Sequence, residues 1–142
     1  MIFLVDNIKL IISSEKDKIA GYMSTIRLTT SSIASNIGFD IDEIDDIKVS
    51  LGEACTNIIK HGLNEGEGKI EIEYNIYNDK LTIIVKDTGK GFDTSKIKDP
   101  NIEELNESGL GIFIIKSLMD EVNILSSDNN GTEIVMTKIK NV

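Results

Sequence analysis

The sequence is poor in the residues that usually announce a site. Its 142 residues include one cysteine (Cys55), one proline (Pro100), one histidine (His61) and no tryptophan. A lone cysteine excludes an internal disulfide framework and fits a reducing cytoplasm. One cysteine and one histidine cannot build a zinc site of the usual kind. Arg27 is the only arginine, so a bidentate guanidinium clamp can form at one place at most. No apolar run approaches the roughly 20 residues of a membrane span. The start, Met1-Ile2-Phe3-Leu4-Val5-Asp6, has no basic region, and its apolar run is too short for a signal peptide. Basic charge is also short: 15 Lys and Arg against 24 Asp and Glu leave a net charge of -9. That balance argues against nucleic acid and anionic lipid as partners. It leaves room for an anionic small ligand, provided backbone N–H groups or a metal supply the local positive field.

What is present is a soluble globular balance, 40% hydrophobic and 27% charged. A chain of this length buries roughly 70% of its unfolded surface, so residues 1–142 are expected to form a single domain. Met1 to Ser13 reads as an edge strand. Ser14 to Asp17 has the Ser-x-x-Asp form of a helix N-cap. Ile19, Met23, Ile26, Ile33 and Ile37 then keep helical spacing up to a stop at Gly38. A second helix is predicted from about Asp42 to His61, its acidic start (Asp40 to Asp46) a solvated face favoured by the helix dipole. Ile70, Ile72, Tyr74 and Ile76 alternate with polar residues, as do Leu81, Ile83 and Val85, so a hairpin turns at Asn78-Asp79. A loop from Asp87 to about Ser108 leads to a third helix, Leu110 to about Glu121. Val122 to Leu125 and Glu133 to Ile139 form a last hairpin. The reading is α+β: a mixed, mostly antiparallel sheet with helices on one face.

Three short segments carry candidate chemistry. Glu53, Asn57 and His61 are spaced four apart and stack on one helical face. A polar helix flank would look the same. A carboxylate suits a general base, and an amide oxygen suits Mg²⁺. Asp87-Thr88-Gly89-Lys90-Gly91-Phe92 begins where a strand ends. It is either a plain glycine turn or a place where the backbone approaches a flat ligand. Ser108-Gly109-Leu110-Gly111 opens a helix, where free N–H groups and the dipole suit phosphate. Neither a P-loop nor a full Gly-x-Gly-x-x-Gly fingerprint occurs. Cys55 reads as a small buried hydrophobe and His61 as a helix-end residue, not a metal ligand.

In this order and spacing, Glu53-x-x-x-Asn57, Asp87-x-Gly89-x-Gly91, Gly109-x-Gly111 and Gly131-Thr132 resemble the nucleotide boxes of the GHKL ATPases, the group of gyrase, Hsp90, histidine kinases and MutL. Within that group the chain most resembles the bacterial anti-sigma-factor serine kinases. The resemblance is carried by Ile26-Arg27-Leu28-Thr29, Ser50 to Asn57, Gly109-Leu110-Gly111, Leu118 to Val122 and Gly131 to Lys138.

The resemblance implies a two-layer α/β sandwich with ATP held under a lid. By that likeness Asn57 ligates Mg²⁺, Asp87 accepts a hydrogen bond from the adenine amino group, and Thr132 supports that contact. Gly89 and Gly91 line the floor of the site, while Ser108, Gly109, Leu110 and Gly111 meet the phosphates. Glu53 would be the general base toward a protein serine. The implied partners are a sigma factor and a STAS-fold antagonist, and the implied state is a homodimer. Some relatives carry an arginine before the lid Ser-Gly; this chain has Glu107, so closing contacts would fall to Lys90, Lys96 or Lys98. Arg27 lies off the apolar stripe of its helix and reads as an exposed partner-binding residue, or as half of a surface ion pair. Two alternatives stay open: an ATP-gated binding module without phosphate transfer, and a detached histidine-kinase catalytic domain.

Overall fold

A computed structural model of the chain describes residues 4–62, 67–87, 107–127 and 131–141. Strand β1 (Leu4–Glu15) leads into a short helix α1 (Lys16–Ile19), a 3₁₀ turn (Ala20–Tyr22) and helix α2 (Met23–Ile37). Helix α3 (Ile41–Asn57) runs on into a π-turn (Ile58–Gly62), followed by β2 (Glu67–Tyr77) and β3 (Lys80–Asp87). Helix α4 (Glu107–Leu118), β4 (Glu121–Ser127) and β5 (Gly131–Ile139) complete the described elements. The strands form a five-stranded sheet in the order β1-β2-β3-β5-β4, with antiparallel neighbours throughout. This is the α+β architecture expected from the strand alternation.

Alternation sorts the sheet into two faces. Across the central strands, Ile72 lies opposite Val85 and Val85 opposite Ile134; Tyr74 lies opposite Ile83 and Ile83 opposite Met136. All six are fully buried and join the core with Ile26, Ile47, Leu51 and Ile115 from the helices. Each such side chain contributes about 1.5–3 kcal/mol by leaving water. The intervening residues face the other way, where Lys86 Nζ sits 3.1 Å from a Glu71 oxygen and 3.6 Å from a Glu73 oxygen.

The helix ends show which local signals survived. Gly38 adopts φ 99° and donates its N–H to the carbonyls of Ala34 and Ser35, so α2 stops where expected. Asp40 accepts from the Glu43 N–H at 2.8 Å, and Glu43 accepts from the Asp40 N–H at 2.9 Å, a reciprocal cap on α3 worth about 1 kcal/mol.

Other expectations are corrected. Ser14 does not cap a helix. It lies opposite Gly68 in the β1–β2 ladder, which holds its backbone extended, and α1 starts after Glu15 without a side-chain cap. The helix expected from Ile19 to Ile37 is interrupted by the 3₁₀ turn that contains Gly21. The acidic start of α3 is not merely solvated: Glu43 is buried and also accepts the Asn141 N–H at 2.9 Å. Asp46 receives Lys138 Nζ at 3.3 Å, and the same ammonium reaches the Leu118 carbonyl at 2.6 Å. Helix α4 begins at Glu107 and ends at Leu118 rather than Glu121. There the Asp120 carboxylate accepts the Ile139 N–H at 2.7 Å, and the Asp120 N–H reaches the Thr137 carbonyl at 2.9 Å, drawing the chain onto β5.

Candidate functional site

Helix α3 is the site's backbone. One stripe of it (Ile47, Leu51, Ala54, Ile58) is in the core, and the adjoining stripe carries Ser50, Glu53 and Asn57. Glu53 is half-buried and Asn57 is buried. Gly111 of α4 lies directly against both. A Cβ built on Gly111 would stand 2.9 Å from Glu53 Oε2 and 3.3 Å from Asn57 Nδ2. Asn57 Nδ2 is buried and has no hydrogen-bond partner among the described residues. A buried amide in that state costs about 1–3 kcal/mol, which a polar ligand would relieve.

The other candidate positions lie at the ends of two neighbouring strands. Asp87 closes β3 and Thr132 is the second residue of β5, and both are buried. Lys86 lies opposite Glu133 in the β3–β5 ladder, so Asp87 and Thr132 occupy the same end of the sheet. The π-turn that follows Asn57 rests on β3 and β5, tying this sheet end to the Glu53–Asn57 stripe. Gly109 and Gly111 are buried in the first turns of α4, and Leu110 points outward, 45% exposed. The backbone of Ser108 belongs to α4, while its side chain and that of Glu107 lie outside the described residues. Gly89, Gly91, Lys90, Lys96 and Lys98 lie outside them too.

The α-helix ends at Asn57, and His61 belongs to the π-turn that follows it. The His61 side chain lies outside the described residues. Cys55 is fully buried, and burial pushes its thiol up to about 12 despite the nearby Arg27 charge, so it is not a thiolate nucleophile. Among the described residues no group of three or more His, Cys, Asp or Glu could hold a metal ion. A divalent cation here would rest on the Asn57 amide together with ligand phosphates, a mode that suits Mg²⁺.

Arg27 is exposed on α2, as its place off the apolar stripe implies, and among the described residues it makes no ion pair. Its guanidinium lies over Gly52 of α3, with Nη2 3.6 Å and Nε 3.8 Å from where a Gly52 Cβ would be. A groove of about 530 Å³ runs here between Arg27, Asp45, Lys48, Val49 and Glu53. Glu53 therefore borders two spaces: this outer groove, and the inner side shared with Asn57 and Gly111. Sequence reasoning missed the groove and the part of Gly52 in it. The available signal was a glycine inside an otherwise helical pattern, which costs about 1 kcal/mol against alanine and often marks close packing.

Known proteins resemble this chain in sequence and in fold. A family model described as the histidine kinase-like ATPase domain matches residues 17–138. A serine-protein kinase RsbW of Bacillus cereus is 40% identical over 127 residues, covering 84% of this chain and 78% of the relative. A protein of the same name from Bacillus velezensis is 35% identical, covering 96% of this chain and 88% of the relative. Among solved structures, the RsbU and RsbW domains of a Mycobacterium tuberculosis protein superimpose with a TM-score of 0.66 at 19% identity, covering 94% of this chain and 32% of that one. A blue-light activated histidine kinase domain of Erythrobacter litoralis superimposes with a TM-score of 0.56 at 20% identity, covering 84% of this chain and 60% of that one. The two structural likenesses speak for the fold alone.

Proposed function

This chain belongs to the histidine kinase-like ATPase domain family, and from that premise we propose that it is an ATP-dependent serine kinase that doubles as an anti-sigma factor. In this reading it sequesters a sigma factor and phosphorylates a serine on a STAS-fold antagonist, which lowers that antagonist's affinity. The relatives named serine-protein kinase RsbW support the kinase activity. The observation that carries the reading is the double exposure of Glu53. It faces Asn57 and Gly111 on one side and an open groove on the other, so a carboxylate stands between a phosphate-binding region and a surface that a protein can reach.

The residues divide the work as follows. Asp87, with Thr132 beside it at the sheet end, recognises the adenine amino group. Ser108, Gly109, Leu110 and Gly111 stand at the start of α4, where the helix dipole favours phosphate. Gly89 and Gly91 form the floor under the nucleotide. Asn57 would hold Mg²⁺ through its amide oxygen, and its buried, unpaired Nδ2, facing Gly111, would donate to a phosphate oxygen, which fits a metal–phosphate group in this place. Bound Mg²⁺ would neutralise charge on the transferring phosphate. Glu53 accepts the proton of the serine hydroxyl as that oxygen attacks phosphorus. Arg27, solvent-facing at the rim of the groove, binds the protein partner and not ATP.

Three further assignments complete the reading. Residues 1–142 act as one ATPase domain. The protein works as a homodimer in the cytoplasm. Exposed Leu4, Val5, Ile8 and Ile11 along the edge strand β1 support association with a second copy, since such an edge is a template for pairing. The single buried cysteine supports a reducing compartment. No helix among the described residues is long and apolar enough to cross a membrane.

The test is direct. The protein is incubated with labelled ATP, Mg²⁺ and candidate STAS proteins from neighbouring genes, and the phosphorylated residue is identified. Phosphoserine on a STAS protein is expected. Glu53→Gln should keep nucleotide affinity and lose about 10²–10⁴-fold in transfer. Transfer at the wild-type rate by that variant would remove Glu53 from the role. Nucleotide-gated binding without any phosphoryl transfer would favour the non-enzymatic module.

A further inference from the structure

Gly111 stands near the start of α4, where the dipole favours phosphate. Its surroundings point to a second role. Its φ is not positive, so its backbone conformation is open to any residue. The constraint lies instead in what surrounds the α-carbon. A Cβ there would meet Glu53 Oε2 at 2.9 Å, Asn57 Nδ2 at 3.3 Å and Asn57 Cγ at 3.8 Å. The first distance is shorter than real Cβ contacts, and the second is tight. The nearest atom is the far end of a flexible carboxylate, so the fold can absorb a methyl group by turning that carboxylate away. Asn57 is buried and has less freedom to move.

We propose that Gly111 is a positioning residue: its bare α-carbon forms the cradle that sets the Glu53 carboxylate and the Asn57 amide side by side. The proposal rests on the reading of Glu53 as the general base and Asn57 as the metal-binding amide. A substitution at Gly111 therefore acts on the placement of the base, not on the stability of the domain. The two explanations for a glycine here separate cleanly. Alanine keeps the helical backbone, so a glycine needed only for its place at the start of α4 tolerates it. Alanine also favours helix more than glycine does, so the folded state gains locally. What alanine disturbs is the position of one carboxylate and one amide, and displacements of about 1 Å near reacting groups can cost about 10²-fold.

The experiment compares wild type, Gly111→Ala, Glu53→Asp and the double variant. In nucleotide-free protein, Gly111→Ala is expected to shift the Asn57 side-chain amide resonance without lowering the melting temperature. ADP affinity measured in EDTA is expected to stay within about threefold, because the backbone and dipole at the start of α4 are retained. Transfer to the STAS substrate is expected to fall about 10²-fold. Glu53→Asp withdraws the carboxylate by one methylene. It should slow the wild-type background yet make the double variant faster than Gly111→Ala alone. Wild-type transfer by Gly111→Ala overturns the inference. So does a loss that Glu53→Asp does not relieve, a lowered melting temperature, or an ADP affinity in EDTA that falls as far as the rate. An unmoved Asn57 resonance also overturns it, independently of any catalysis. Failure of the base reading is seen separately, as full transfer by Glu53→Gln.

Discussion

Gly52 and Arg27 allow stability and partner binding to be separated by substitutions at one position. Gly52 sits inside α3 with helical backbone, and the atoms a Cβ would meet are the Arg27 Nη2 at 3.6 Å and Nε at 3.8 Å, ordinary contact with the end of a flexible side chain. Gly52→Ala should therefore gain most of the helix-propensity difference, about 0.8–1 kcal/mol. For 142 residues, an unfolding entropy of about 2.1 cal/mol/K per residue turns that gain into a rise of about 3 °C in Tm. Gly52→Leu fills the space in which the guanidinium lies and should push Arg27 off the rim of the groove. It should then behave like Arg27→Ala toward the proposed sigma factor or antagonist, a hot-spot loss on the order of 2 kcal/mol, or roughly 30-fold in Kd. ATP affinity should be unchanged in all three variants. The assays are thermal melting and calorimetric titration with each partner and with ATP. A lower Tm for Gly52→Ala would mean that the space over Gly52 is filled by more than Arg27. Intact binding of both partners by Gly52→Leu and Arg27→Ala would remove Arg27 from the interface.

Other outcomes follow from single contacts. Asp87→Asn should weaken ATP binding, because an amide can present a donor where the adenine amino group needs an acceptor; undiminished affinity by calorimetry would refute the assignment of Asp87. Thr30 Oγ1 donates to the Ile26 carbonyl at 2.7 Å, so the buried Tyr74 hydroxyl must donate to Thr30 across their 2.7 Å contact. Thr30→Val strands that hydroxyl and should cost about 1–3 kcal/mol, against about 0.5–1.5 for Tyr74→Phe, with the double variant costing less than the sum; a denaturant series showing the reverse order would refute the donor assignment. Burial raises the Cys55 thiol from its usual 9.0 to about 12 and the Tyr74 hydroxyl from 10.0 to about 12. Both stay protonated in the fold while the unfolded chain ionises, so stability should be fully present below about pH 9 and decline between pH 9 and 12. Cys55→Ala should flatten the onset of that decline, and an unchanged pH profile in this variant would count against it.

Much of this protein could be read from local pattern because the local pattern met no competitor. Ile70, Ile72 and Tyr74 alternate with Glu71, Glu73 and Asn75, and a period of two can bury only one face of a strand. Gly38 and the Asp40–Glu43 pair act within one turn of chain, so their roles survived folding intact. The nucleotide boxes were recognisable because their residues lie in short segments of fixed spacing. Where a local signal met a long-range one, the long-range one prevailed. Ser14 has a good capping pattern, yet pairing across from Gly68 took its backbone into the sheet. Glu43 and Asp46 read as a solvated acidic run until Asn141 and Lys138, about a hundred residues later, closed on them.

The amino-acid order by itself determined the class of fold, the family, and the identities of Glu53, Asn57, Asp87, Gly109, Gly111 and Thr132 as the candidate set. Each of these depends on residue type and spacing along one strand, helix or turn. Only the tertiary structure decided that α4 approaches α3 closely enough for Gly111 to touch Glu53 and Asn57, and that Arg27 lies across Gly52 beside the same carboxylate. Those facts depend on how α2 and α4 each pack against α3. Packing distance is set by the whole core, through Leu51, Ile112, Ile115 and the strands beneath them, so no short stretch of sequence encodes it.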